Sequence, residues 1–199
     1  MKFKNLLKII LIVSILTSSA FAIKKDEIKS EMNNKIDQII TIIKNKDLNK
    51  EKKNEKIIEI IDPVFNYKLM ARISLGKTWN TLSSEKQDEF ATLFEQKLKT
   101  SYIEKLNLYT DQKVKIIDLL PYLKSRLQLT TEVIGSKEVY EIKYNFYEDK
   151  KTNEWLIYDI DLVGVSIIQT YRQQFSGLLK EKTFDEMLVV LKDTTNQND

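Results

Sequence analysis

Carboxylates are the only abundant side chains here with an obvious chemistry. The 199-residue sequence contains no histidine and no cysteine. A Ser-His-Asp triad, a thiol nucleophile, a typical zinc site and a haem histidine ligand are therefore excluded. Four glycines, Gly76, Gly135, Gly164 and Gly177, supply neither a phosphate-cradling loop nor a dinucleotide fingerprint. Asp159 and Asp161 stand two apart, so in a strand they share one face. An acid/base pair needs that convergence on one cleft, but the solvated outer face of an antiparallel sheet produces the same pattern. Serine–lysine chemistry is permitted by composition, but no spacing singles out a pair.

The segment from Trp155 to Phe175 decides where these aspartates point. Leu156, Tyr158, Ile160 and Leu162 alternate with Asp159 and Asp161, which predicts a strand with one apolar face. Gly164 then gives a flexible backbone position. Ser166 with Gln169 has capping-box spacing, and Ile167, Ile168, Tyr171 and Phe175 recur at helical spacing. A strand turning through glycine into an amphipathic helix leaves a wedge between helix and sheet.

The remaining elements build the two sides of that wedge. Ile28, Met32, Ile36, Ile39, Ile40 and Ile43 step through a first helix. Ile57, Ile58, Ile60 and Ile61 mark a second, which ends at Asp62-Pro63. Phe65 to Leu75 reads as a third, with Gly76 as its C-cap and Lys77 to Leu82 as the connection onward. Ser84 and Gln87 predict the cap of a long helix carrying Phe90, Leu93, Phe94, Leu98, Tyr102 and Leu106. After Asp111 the period becomes two. Val114 to Leu119 is a strand ending near Pro121. Leu127, Leu129, Thr131 and Val133 form the next, Gly135-Ser136-Lys137 a tight connection, and Tyr140, Ile142, Tyr144 and Phe146 the third. Thr183 with Glu186 caps a last helix. The fold class is thus α+β: a four-stranded antiparallel sheet with several helices on one face, the wedge between them being either packed solid or enclosing an apolar pocket, of which the pocket is the expectation taken forward.

The first 22 residues read as an export signal: Lys2, Lys4 and Lys8, an apolar run from Ile9 to Leu16, and Ala20-Phe21-Ala22 for cleavage after Ala22. The run is shorter than the roughly 20 residues that span a bilayer. The expected organisation is a cleaved signal peptide at 1–22, one domain over 23–193 and a flexible tail at 194–199, outside the cytoplasm. The leader carries three of the 32 basic residues and none of the 29 acidic ones, which leaves 29 against 29. The net charge of +3 thus belongs to the leader, and the basic excess expected of a nucleic-acid binder is missing. The lysines between Lys44 and Lys56 are interleaved with Asp47, Glu51 and Glu55, as in a solvated helix junction.

Two blocks carry a resemblance. One is Phe65 to Tyr102, with Phe-Asn-Tyr-Lys-Leu-Met-Ala-Arg-Ile-Ser-Leu-Gly-Lys-Thr-Trp-Asn and Ser-Ser-Glu-Lys-Gln-Asp-Glu-Phe. The other is Trp155 to Phe175, with Tyr-Asp, Gly-Val-Ser and Tyr-Arg-Gln-Gln-Phe. Together, with Arg72 and Trp79 at their spacing, they resemble the MlaC-type periplasmic phospholipid-binding proteins, the toluene-tolerance auxiliary components of an ABC transporter. The likeness covers nearly all of the chain after Ala22. It implies a carrier, not an enzyme, with no cofactor and with a glycerophospholipid as cargo. The implied route runs between an outer-membrane lipoprotein–porin complex and an inner-membrane ABC transporter bearing an MCE-domain ring, in support of outer-membrane lipid asymmetry. The acyl chains would sit between sheet and helices, with the headgroup near solvent. The high lysine, isoleucine and asparagine content sets this surface apart, so partner contacts do not carry over.

Physics states what such a carrier needs. A two-chain lipid exposes on the order of 30 methylenes, and at about 0.8 kcal/mol each their burial is worth roughly 25 kcal/mol. A pocket at or above the upper end of ordinary ligand sites, roughly 1,000 Å³, is expected. The candidate lining from the strands is Leu127, Leu129, Val133, Tyr140, Ile142, Tyr144 and Phe146. The candidates from the helices and their connections are Met70, Ile73, Trp79, Phe94, Leu98, Tyr102, Val165, Ile168, Tyr171 and Phe175. Tyrosines suit the mouth, where the hydroxyl stays wet, and Arg172 is the candidate for a lipid phosphate. A carboxylate enzyme in a similar pocket and a protein-binding chaperone or adaptor with an apolar groove remain as alternatives.

Overall fold

Helix spacing and capping chemistry place the α-elements. The computed structural model describes residues 23–107, 109 and 111–196; the signal peptide expected at 1–22 and its cleavage site lie outside them, as do residues 197–199. Helix α1 (Ile28–Lys44) buries Ile28, Met32 and Ile39. Helix α2 (Lys50–Ile61) starts at Asn49, whose side chain accepts the Lys52 N–H at 2.9 Å, and stops at the Asp62-Pro63 break. Helix α3 (Tyr67–Leu75) is capped by Asn66, which accepts the Leu69 N–H at 2.8 Å. A 3-10 turn from Gly76 to Thr81 then buries Trp79. Helix α4 (Ser84–Leu106) is capped by Ser83 and not Ser84. Starting one residue early frees Gln87, whose amide donates to the Trp79 carbonyl at 2.8 Å and ties the incoming turn to the helix.

The sheet is antiparallel and has five strands, not four: β1 (Lys113–Pro121), β2 (Arg126–Ile134), β3 (Val139–Asp149), β4 (Glu154–Leu162) and β5 (Val165–Ser166), in that spatial order. The extra strand exists because Val163 and Gly164 both take positive φ, 51° and 83°. That pair of values marks a type I′ turn, and it folds Ser166 back against Asp161. Ser166 also caps α5 (Ile167–Leu178) through the Gln169 N–H at 3.0 Å, so one residue ends the sheet and begins the helix. Thr183 and Glu186 close a capping box on α6 (Phe184–Asn196). That helix continues through Thr194 and Thr195, where the sequence suggested a loose tail, and Thr195 is buried.

Strands β2 and β3 keep the expected alternation, with Leu127 opposite Phe146, Leu129 opposite Tyr144 and Thr131 opposite Ile142. Strand β4 does not. Its register jumps from Tyr144↔Ile160 to Phe146↔Ile157, leaving Tyr158 as an extra residue. Trp155 and Ile157 therefore join Ile160 in the core, while Leu156 and Tyr158 leave the face expected for them. The bulge accompanies a contact far away in sequence: the Ile157 carbonyl accepts the Asn66 N–H at 2.9 Å, which docks the start of α3 on the sheet. Asp159 is also not on a solvated face. It is buried, accepting the Ser166 hydroxyl at 2.7 Å and the Ile168 N–H at 3.2 Å. Burial raises its carboxyl pKa against the pull of those bonds.

Three apolar clusters hold these elements. A helical one joins α3, α4, α5 and α6 around Phe90, Phe94 and Phe175. A second joins the start of α1 to the sheet around Leu129, Phe146 and Ile157. A third consists of four isoleucines, Ile39, Ile57, Ile61 and Ile103, between α1, α2 and the end of α4. Phe65 packs against all three.

Candidate functional site

Where the clusters face each other they leave a cavity of about 720 Å³. Each cluster supplies part of the wall: Met70, Leu98 and Tyr171 from the helices, Ile142, Tyr144 and Ile160 from the sheet, and Ile39, Ile43, Ile61, Tyr102 and Leu106 from the isoleucine side. Close-packed interiors seldom hold voids larger than a water molecule, so this volume is a built feature. It lies inside the usual ligand-pocket range of about 300–1,000 Å³, somewhat below the size expected from the sequence.

Of the expected lining residues, Met70, Leu98, Tyr102, Val133, Ile142, Tyr144, Val165 and Tyr171 stand on the wall. The rest are elsewhere. Ile73, Trp79, Phe94, Ile168 and Phe175 belong to the helical cluster. Phe94 meets Tyr171 edge-on at 5.0 Å between ring centroids, and Phe90 meets Phe175 at 5.3 Å. These rings use their area on each other and close the space between α4 and α5. Leu127, Leu129 and Phe146 are filled in by the start of α1. Tyr140 lies near the beginning of β3, 47% exposed. Arg172 is exposed and off the cavity wall. Its guanidinium lies over Gly76, so close that a Cβ there would stand 3.2 Å from Nε and Nη2.

Several wall residues were not singled out in the sequence. Ile36, Ile39, Ile40 and Ile43 line the cavity from α1, joined by Phe65, Tyr67, Tyr109, Val114 and Ile167. The signal for α1 was present, an isoleucine stripe at helical spacing, but periodicity does not say whether a buried face meets side chains or a void.

The polar groups of the wall fall into two sets. On the apolar wall, Tyr144 is buried and Tyr102 partly buried. Burial pushes the Tyr144 phenol up to about 12, against a hydrogen bond with Thr131, and burial plus neighbouring Tyr144 raises that of Tyr102. Both are neutral at physiological pH. Along α4, Lys97, Lys99 and Lys105 reach the lining, which includes no aspartate or glutamate. Lys99 is neutralised: Asp62 and Glu95 each accept from its Nζ at 2.6 Å, and it lies 5.1 Å from the Tyr67 ring centroid. Burial lowers its pKa, but those bonds outweigh it and hold the ammonium above its usual value. No cluster of metal-ligating side chains occurs among the described residues. The arrangement provides an apolar volume that opens to solvent and a cationic margin. Asp159, the acid that might have served chemistry, is engaged in starting α5.

A Ralstonia solanacearum phospholipid-binding protein, solved in complex with a phospholipid, superposes with a TM-score of 0.73, covering 85% of this chain and 97% of that one at 21% identity. The intermembrane phospholipid transport system binding protein MlaC of Haemophilus influenzae is 21% identical over 138 residues. That alignment takes in 68% of this chain and 64% of the relative, so it spans less than two thirds of the relative's length. Residues 33–193 match the family described as MlaC protein, and the chain belongs to that family.

Proposed function

We propose that this protein is a phospholipid carrier of the periplasm, with both acyl chains housed in the cavity between sheet and helices. The carrying observation is the apolar volume of about 720 Å³ walled by three separate clusters. Covering the tails of one lipid offsets roughly 25 kcal/mol of hydrocarbon exposure, and this wall is made of the side chains that do so. The reading takes support from the phospholipid seen in the Ralstonia protein and from the intermembrane transport named for the Haemophilus one. In the cell the carrier would move a glycerophospholipid between an outer-membrane complex and an inner-membrane ABC transporter, with no catalytic group and no cofactor of its own. Native mass spectrometry of the purified protein, with lipid extraction, tests the proposal. Co-purifying glycerophospholipid at one per chain is expected. Apoprotein alone from lipid-rich cells, with no uptake from vesicles, would overturn it.

A further inference from the structure

Helix α4 lines the cavity with Lys97, Ser101 and Lys105, spaced four apart and so on one helical face. Helix α5 lines it with Thr170 and Gln174, also four apart. Lys105, Thr170 and Gln174 are exposed as well as lining, which puts them at the margin where the cavity meets solvent. Lys97 is held in place by donating to the Thr194 carbonyl at 2.8 Å. Neither Lys97 nor Lys105 has a carboxylate partner among the described residues, unlike Lys99 with its two. The lining itself contains no acid. The lining therefore presents two ammonium groups without a carboxylate partner, Lys97 and Lys105, and three neutral hydrogen-bonding side chains beside an otherwise apolar chamber, with Lys105, Thr170 and Gln174 at its margin.

Resting on the carrier reading, we infer that Lys97, Ser101 and Lys105, with Thr170 and Gln174, form a headgroup subsite for a phosphate-bearing, net-anionic lipid. Ammonium and hydroxyl donors match phosphate oxygens, and a headgroup carrying its own cation meets two like charges there. Arg172, off the wall and lying over Gly76, is not part of the subsite.

The test measures transfer to the purified protein from vesicles containing phosphatidylglycerol, phosphatidylcholine or diacylglycerol with the same acyl chains. Phosphatidylglycerol is expected to load best and diacylglycerol worst. Lys105→Gln should weaken phosphatidylglycerol loading about threefold, and Lys97→Gln with Lys105→Gln about tenfold. Diacylglycerol loading should stay the same, and raising the salt should shrink the difference. Lys105 is exposed, so the single variant preserves the test if the double one fails to fold. Inorganic phosphate is titrated separately. Competition only at millimolar levels fits a subsite that needs the tails, whereas tight phosphate binding without lipid uptake overturns the lipid assignment. Equal loading of all three lipids, unchanged in the variants, overturns the subsite and leaves the carrier standing. Uptake of none overturns both.

Discussion

The division between cavity wall and packed core can be tested by filling the chamber from one side. Ile142 is half-buried, lines the cavity, and sits opposite Thr131 on β2 and Leu162 on β4. Ile142→Trp adds about six heavy atoms, aimed into the volume that would hold hydrocarbon. If half of them displace methylenes at about 0.8 kcal/mol each, bound lipid loses about 2.4 kcal/mol, or about fiftyfold in Kd. The protein itself should tolerate the change. A β-strand accepts tryptophan, and the overpacking penalty of about 1–3 kcal/mol applies only where no room exists. Leu129→Ala makes the contrast: Leu129 is fully buried in the sheet cluster, so its loss should cost about 2–5 kcal/mol of stability with little effect on loading per folded molecule. Loading is read by native mass spectrometry and stability by urea unfolding. An Ile142→Trp protein that unfolds, or that loads lipid like the parent, would refute the claim that the chamber has room and that the tails need it.

Gly76→Ala should cost about 1–2 kcal/mol by denaturant unfolding, because its φ of 58° disfavours any side chain and a Cβ would press on Arg172; Arg172→Ala should relieve the steric part alone. Val163→Asn should stabilise by about 1 kcal/mol, since a β-branched residue at φ 51° in a type I′ turn is strained and asparagine is favoured there; a loss of stability would contradict the turn assignment. Asp159 has its pKa raised by burial, so the folded state binds its proton more tightly than the unfolded chain does. Its contribution is complete below the ordinary aspartate value and declines as pH rises through the raised one. The stability of the parent relative to Asp159→Asn should thus fall as pH rises above the ordinary aspartate range, and a flat difference in urea titrations would refute the assignment. Asp62→Asn removes the charge that holds Lys99 and the Tyr67 hydroxyl, and should cost about 1 kcal/mol for this partly exposed pair.

How far the sequence was legible follows from the range of each contact. Local signals were readable: Thr183 and Glu186 meet within one turn, and Leu127, Leu129 and Thr131 face Phe146, Tyr144 and Ile142 across a short hairpin. The bulge at Tyr158 was not, because it accompanies a bond from Asn66, far away in sequence. The fifth strand was missed because Ser166 pairs with Asp161 in the sheet as well as capping the helix through Gln169, and its spacing announces only the cap. Periodicity identified buried residues and could not say what they are buried against. Phe94 and Tyr102 stand on the same expected stripe of α4, yet one meets Tyr171 and Phe175 and the other meets the cavity.

That stripe explains why the chamber stays open. Helix α4 has 23 residues, about 35 Å at the usual rise, and different clusters hold its two ends. Phe90 and Phe94 fix the first half among the other helices, while Ile103 fixes the second in the isoleucine cluster. Between them Lys99 is clamped to Asp62, at the junction of α2 and α3. For the apolar walls to collapse together, α4 would have to bend or release one end, and a helix interior without proline or glycine has no ready kink. The hydrophobic drive to close the gap acts against a rod already anchored on both sides, and the side chains between the anchors, Leu98, Tyr102 and Leu106, remain available to hydrocarbon from outside the chain.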